Sequence, residues 1–273
     1  MNSRNLQLRE GGNGVIYVTS DFFPNKKVVL GFSTRFGGVS SSPYNSLNLG
    51  YSVADRKENV QENRRRFVTA LNRDLDKTVI GNQVHGDNLF EVTLENSWYE
   101  NYLEDSGAGI ADTDGLLTRV SGISLLGSFA DCVPIYFYEP NIPMVGLTHA
   151  GWRGTCKYIS FRTVDKIEAA GGTLQDIKVI IGPSIGPCCY QVGEELYKAW
   201  YGDENREKLF FDSKRKLFLD LWKANQLQLI DRGIDAENIL VGNMCTACNR
   251  DIFFSHRIGG TNTGRMMGLI SLK

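Results

Sequence analysis

The 273-residue chain has no excess of charge of either sign: 30 basic residues stand against 31 acidic ones, a formal net charge of −1. No global basic field is available to hold a nucleic acid backbone, and no acidic tail is present. Long apolar runs are missing as well. The greasiest stretch, Gly122 to Tyr138, is broken by Asp131, Cys132 and Pro134, so nothing approaches the roughly 20 apolar residues that a membrane helix needs. Met1 to Thr19 is interrupted by Gly and Asn before a secretory core can form, and a cytoplasmic location is expected. There is no fixed-period repeat, low-complexity tract or Pro/Ser linker, which predicts one domain over residues 1–273. Histidine is scarce, with three in the chain. A multicopper oxidase needs a cysteine-ligated copper and a histidine-rich cluster, and three histidines cannot supply both.

Glycine, in contrast, is abundant: 29 of 273 residues, above the roughly 7% of average chains. The glycines cluster with polar residues in Thr34-Arg35-Phe36-Gly37-Gly38, Asn48-Leu49-Gly50, His149-Ala150-Gly151-Trp152-Arg153-Gly154, Gly182-Pro183-Ser184-Ile185-Gly186-Pro187 and Thr263-Gly264-Arg265. Such loops let backbone approach a ligand closely, although tight turns also use them. Short β-type runs recur, at Val28–Thr34, Lys77–Val84, Asn88–Leu94, Ile123–Phe129, Ile135–Tyr138, Met144–Thr148, Lys178–Ile181, Ile239–Val241, Ile252–Ser255 and Met266–Leu272. Helical spacing marks Glu58–Leu71, Tyr158–Ala170, Glu194–Trp200 and Phe218–Arg232, with a charged loop expected at Gly202–Lys216. The predicted fold class is mixed α/β, α+β in character: a large mixed β-sheet core flanked by helices.

Two of the three histidines end β-type runs at loop junctions, His85 in Gln83-Val84-His85-Gly86 and His149 in Thr148-His149-Ala150-Gly151, and Cys132 ends a third. They lie far apart in sequence with no zinc-finger spacing, so any site is assembled from three distant strands. Two imidazoles and a thiolate suit zinc and leave a fourth position open, as in a catalytic site; two core histidines and an unrelated cysteine would give the same pattern. The remaining cysteines give weaker signals. Cys245 and Cys248 form one C-x-x-C without a second pair, and adjacent Cys188 and Cys189 offer at most one natural ligand, so these four are expected to be buried thiols.

The ordered motifs carry a resemblance. Phe32-Ser33-Thr34-Arg35-Phe36-Gly37-Gly38, Pro43-Tyr44-Asn45-Ser46-Leu47-Asn48-Leu49-Gly50, Gln83-Val84-His85-Gly86, Ala111-Asp112-Thr113-Asp114-Gly115, Ala130-Asp131-Cys132-Val133-Pro134, His149 to Gly154, Gly186-Pro187-Cys188-Cys189-Tyr190 and Thr263-Gly264-Arg265 resemble the YfiH/YlmD laccase-domain family over nearly the whole chain. The resemblance implies a YfiH-like fold, related to the toxin domain of cytotoxic necrotizing factor, with a homodimer as the family-based expectation. It implies that His85, Cys132 and His149 bind zinc, with copper as the alternative metal and phenol oxidation as its side reaction. It further implies purine nucleoside chemistry: phosphorolysis of adenosine, inosine and methylthioadenosine, and deamination of adenosine. Where the family usually has a Tyr and two arginines after Phe-Ser, this chain has His256-Arg257-Ile258. A loop His in that place is more often a surface or packing substitution than a fourth ligand.

Each reaction then asks for further groups. A proton shuttle is sought in Asp112 and Asp114, two apart and so on one face if extended, with Asp131 on the opposite face of a regular strand. For phosphate, Arg35, Arg153 and Arg265 offer guanidinium forks in glycine-containing loops, and Asn48 and Gln83 join them as candidate substrate residues. Arg153 stands before Thr155, an expected N-cap for the helix at Tyr158. A rival chemistry uses Cys132 as nucleophile with His149 as its base, acting on an amide or ester.

Overall fold

The computed structural model describes residues 5–95, 109–200, 203–213 and 215–273. The first four residues, and Gly202 and Lys214 of the charged loop, lie outside that set. Two six-stranded sheets form the centre. The first has the order β1 (Gln7–Glu10), β2 (Ile16–Thr19), β3 (Val28–Ser33), β15 (Met266–Leu272), β7 (Ser124–Phe129) and β4 (Thr78–Ile80). The second runs β14 (Ile239–Val241), β10 (Lys178–Ile181), β8 (Val133–Glu139), β9 (Met144–Ala150), β6 (Gly115–Thr118) and β5 (Leu89–Val92). Both are mixed: β4 pairs parallel to β7, β5 to β6 and β10 to β14, while the other neighbours are antiparallel. A small third sheet joins β11 (Gln191–Val192), β13 (Lys216–Leu219) and β12 (Phe210–Ser213).

The layering follows from side-chain alternation. Along β8, Val133, Ile135 and Phe137 face one core and Tyr136 and Tyr138 the other, so both faces are buried and the strand is apolar throughout. The first of these cores lies under α3 (Ile159–Ala169) and α6 (Leu221–Asp231), through Ile159, Val164, Ile167, Leu221 and Leu229. The second is the inter-sheet core, where Phe32, Leu125 and Phe129 meet Tyr136, Val145, Leu147 and Ile180. A third packs Phe67, Val68 and Leu71, from and just beyond α1 (Lys57–Ala70), on Leu126, Met267 and Leu269 of the first sheet. The result is helix, sheet, sheet, helix, held by side chains that each contribute roughly 1.5–3 kcal/mol when fully buried. No described helix is long and apolar enough to cross a membrane.

Two expectations are corrected. Ile252–Ser255 is no strand: Phe253 and Phe254 are buried in a turn, and the carbonyl of Ile252 accepts from the Arg35 N–H across a loop. Part of the expected loop Gly202–Lys216 is α5 (Arg206–Leu209) and the β12–β13 hairpin, where Phe211 and Phe218 stack at 5.6 Å, so Phe218 opens no helix.

On the exposed face of α1, Glu62 accepts from Arg65 and Arg66 at 2.8 and 2.7 Å. These bonds, Arg65 first, hold its carboxyl down at about 2, from an ordinary 4.5. A depressed carboxyl stabilises the fold above its unfolded value and loses that contribution as pH falls through its folded value. Glu62→Gln is therefore expected to cost up to about 1 kcal/mol at neutral pH, given solvent screening. In thermal melts the difference from wild type should close as pH falls from 4.5 towards 2.

Candidate metal centre

The three residues singled out at strand ends converge where the two sheets meet. His85 lies in the loop between β4 of the first sheet and β5 of the second. Cys132 sits in the turn by which β7 passes into β8, crossing from one sheet to the other, and His149 is the penultimate residue of β9. Their ligating atoms all lie within 4.8 Å of one another. The imidazole rings stand edge to face with centroids 4.8 Å apart. Two nitrogens and a sulfur at that spacing form a donor set that fits zinc or copper, with a coordination position left open.

The loops are shaped by one buried carboxylate. Asp114, immediately before β6, accepts the backbone N–H groups of Val84, His85 and Gly86 at 3.1, 3.0 and 2.7 Å, and it bonds His149 Nδ1 at 2.9 Å. The last contact leaves Nε2 of His149 for a metal. His85 adopts φ 59°, a left-handed conformation that these three bonds help to hold. Gly151 completes the packing: a Cβ there would lie 3.0 Å from Cys132 Sγ and 3.2 Å from His85 Cδ2. Burial acts to raise the Cys132 thiol, but His149 and His85 outweigh it and bring it to about 6. Burial acts to lower His149, and Cys132 and Asp114 outweigh it, raising the ring to about 9. The pair thus favours thiolate beside imidazolium, and binding a metal would displace the imidazole proton.

Two cavities open on this cluster. The first, about 430 Å³, is lined by His85, Cys132 and His149 together with Tyr51, Arg64, Gln83, Ser128, His256 and Arg265. The second, about 310 Å³, shares His85, Cys132 and His256 and adds Asp131, Trp152, Arg153, Ile185 and Tyr190. Both volumes fall in the roughly 300–1,000 Å³ range of small-molecule sites. Neither Arg64 nor Arg265 makes a salt bridge among the described residues, although the charge of Asp131 acts on Arg265. Arg64 is buried, donates from Nε to the carbonyl of Leu49 at 2.9 Å and stacks over Tyr51 at 4.3 Å. Desolvation lowers it to about 10, so it remains charged at neutral pH. The Arg265 guanidinium donates to the carbonyls of Thr263 and Gly264. A buried guanidinium without a carboxylate, as at Arg64, is costly unless an anion completes it.

The other sequence-predicted residues divide. Gln83 lines the first cavity and is clamped to Ser128, donating to its carbonyl at 3.1 Å and accepting its N–H at 2.8 Å. Asn48 is fully buried behind that cavity; its Oδ1 accepts from the N–H groups of Gly50 and Arg265 and so positions two lining residues. Arg153 lines the second cavity and stacks on Trp152 at 4.4 Å. Arg35 is not brought to either cavity: its guanidinium is spent on the carbonyls of Asn45 and Arg250, and it lies over Phe254. Asp112 and Asp114 share no face, because φ 48° at Asp112 turns the backbone out of extension and leaves that residue exposed. Asp131, also at positive φ, is fully engaged by Thr246, Ser255 and the N–H of Arg257. Thr155 caps no helix; it lies inside the short α2 (Trp152–Cys156), which starts from Gly151, and Tyr158 precedes α3. His256, expected as a surface or packing substitution, is exposed and borders both cavities at the start of α7 (His256–Gly259).

Sequence reasoning missed Arg64, although a signal exists. Val60, Phe67 and Val68 mark the buried stripe of α1, and Arg64 and Asn63 sit on it. A charged residue on an apolar stripe is the observation to look for.

Comparison with known proteins finds relatives over nearly the whole chain. The family described as "Multi-copper polyphenol oxidoreductase laccase" matches residues 29–273. Purine nucleoside phosphorylase YlmD of Bacillus subtilis (strain 168) is 37% identical over 91% of this chain and 90% of its own. The crystal structure of YlmD from Geobacillus stearothermophilus superposes with a TM-score of 0.88 at 36% identity, covering 97% of this chain and 98% of that one. That of Bacillus licheniformis hypothetical protein YfiH gives the same score and identity over 97% and 99%.

Proposed function

The chain belongs to the multi-copper polyphenol oxidoreductase laccase family, the YfiH/YlmD group, and from that premise we propose that it is a metal-dependent purine nucleoside phosphorylase. The observation that carries the reading is the first cavity, where the His85, Cys132 and His149 donor set and two arginines that make no salt bridge among the described residues border one space. Substrates of the right chemistry are adenosine, inosine and methylthioadenosine with inorganic phosphate. Zinc is the metal of this reading: one His-Cys-His set leaves the fourth position of a catalytic zinc open, and Gln83, the amide that could serve as a weak axial ligand to copper, has both its polar atoms bonded to Ser128.

Zinc held by His85, Cys132 and His149 would supply Lewis-acid chemistry there. The protein's own residues do the rest. Arg64 and Arg265 bind the phosphate and hold it against C1′ of the ribose, so that attack is intramolecular in effect. Asp114 keeps His149 in the tautomer that presents Nε2 inward. His256, at the mouth of both cavities, donates a proton to N7 of the departing purine. Trp152 in the second cavity offers a face for the base. Deamination of adenosine is the lesser activity in this reading: the one carboxylate lining either cavity is Asp131, and it is already engaged three times.

The geometry also favours one rival. Cys132, His149 and Asp114 place a thiol within 4.8 Å of an imidazole that is bonded to a carboxylate at 2.9 Å, the arrangement of a cysteine hydrolase. A thiolate held by metal is a poor nucleophile, so the two roles exclude each other. Kinetics on the three nucleosides with phosphate and without it, on wild type and His256→Ala, decide the matter. Phosphate-dependent release of free base, lowered at least about tenfold in kcat by His256→Ala with metal content unchanged, is expected. Base release indifferent to phosphate, or turnover of amides by metal-free protein, would overturn the reading.

A further inference from the structure

The four cysteines expected as separate buried thiols are gathered instead into one cluster. Cys188 and Cys189 lie in the loop that follows β10, and Cys245 and Cys248 in the loop that follows β14. Because β10 and β14 are parallel neighbours, both loops leave the same end of the sheet side by side. A bridge between Ser184 and Cys245 continues the pairing outward, with Ser184 N–H on the carbonyl of Met244 and Thr246 N–H on that of Ser184. All four sulfurs lie within 4.8 Å of one another. Cys248 Sγ is 3.4 Å from the sulfurs of both Cys188 and Cys189.

These distances suit one ion at the centre of the four. Bonds of about 2.3 Å from a tetrahedral zinc place its sulfurs roughly 3.8 Å apart. A disulfide would need two sulfurs at about 2.05 Å and would leave the other pair crowded and unbonded. The backbone is arranged for thiolate as well. The N–H groups of Gly186 and Cys248 both point at Cys245 Sγ, at 3.2 and 3.5 Å. Gly186 has no room for a side chain, since a Cβ would meet Trp222 at 2.6 Å and Cys245 Cβ at 3.1 Å. Cys188 and Cys248 are exposed, so an ion has an entry path from solvent.

We propose that Cys188, Cys189, Cys245 and Cys248 form a second metal site, a closed tetrathiolate that holds one zinc-type divalent ion and has a structural role. Four sulfur ligands fill a tetrahedron and leave no position for substrate, in contrast to the His85, Cys132 and His149 centre. The role follows from what the two loops carry. The first bears Ile185 and Tyr190, which line the second cavity. The second bears Thr246, whose hydroxyl donates to Asp131 at 2.6 Å, next in sequence to the ligand Cys132. An ion there ties together the two loops that back one wall of the candidate centre.

Metal counting and cobalt(II) spectroscopy test this without reference to turnover. Wild type should hold two equivalents of metal per chain, Cys132→Ser one and Cys188→Ser/Cys248→Ser one. Cobalt(II) added to metal-free Cys132→Ser should give the intense sulfur-to-cobalt charge-transfer and tetrahedral bands of four thiolates, and these cysteines should resist a thiol reagent until a chelator is added. If Cys132→Ser binds no ion, if its cysteines are found as disulfides, or if the purified protein carries an iron–sulfur chromophore, the proposal fails. Should the double variant not fold, Cys132→Ser alone gives the answer. Because the cobalt signal is read with the first centre disabled, it stands or falls separately from the nucleoside reading.

Discussion

Replacing Cys132 with serine is expected to abolish phosphorolysis, by about a thousandfold or more, while leaving the fold in place. The magnitude follows from what is lost. Lewis-acid stabilisation at a developing charge is worth several kcal/mol, and each 1.36 kcal/mol is a factor of ten in rate. Removing the thiolate leaves two imidazoles, which His85, on a left-handed loop residue, and His149, held by Asp114, present as a pair too poor to retain zinc. The fold should tolerate the change because Cys132 is only partly buried and lies in the turn between sheets. Metal analysis and kcat/KM on the same preparation check both halves. A variant that loses its metal and keeps its rate would separate the centre from the reaction.

Arg64→Met is expected to raise the phosphate KM at least about tenfold, with only a small change in melting temperature. Arg64 is buried without a carboxylate, and the hydrogen bond described for its guanidinium runs to the Leu49 carbonyl. Two effects on stability oppose each other. Methionine relieves the cost of burying a charge, and it leaves one carbonyl unsatisfied at roughly 1–3 kcal/mol. Function has no such compensation: losing a charge-assisted bond to phosphate removes about 1.5–3 kcal/mol, a factor of about ten or more in affinity. Steady-state kinetics at varied phosphate, beside thermal melts, distinguish the outcomes. A steep loss of stability with unchanged phosphate KM would make Arg64 a structural residue and remove the anion from the first cavity.

The two arginine positions show what can be read from sequence. Arg265 stands in a glycine-containing loop where a close backbone approach is already suspected. Arg64 stands inside Arg64-Arg65-Arg66, a run that looks like the solvated face of a helix, and two of the three are that face. Only the phase of the helix, set by Val60, Phe67 and Val68, turns the first of them inward. The sequence drew attention to His85, Cys132 and His149 because each ends an apolar run; the structure brings their ligating atoms within 4.8 Å, with His149 inside β9, Cys132 in the turn before β8 and His85 in a loop five residues past β4. The tetrathiolate cluster was not, because its two halves are joined by the pairing of β10 with β14, a long-range contact that local spacing does not encode. Ile252–Ser255 misled in the opposite sense: apolar residues in a buried turn carry the same composition as a strand, and tertiary packing decides between them. Asp112 and Asp114 share a face only in an extended segment, and one left-handed residue undoes that premise.

The most direct test is ³¹P NMR of the zinc-loaded protein with adenosine and inorganic phosphate. The account expects a sugar 1-phosphate resonance that grows in step with free adenine and is absent with Cys132→Ser. Free adenine with an unchanged phosphate spectrum, or inosine as the sole product, would contradict it.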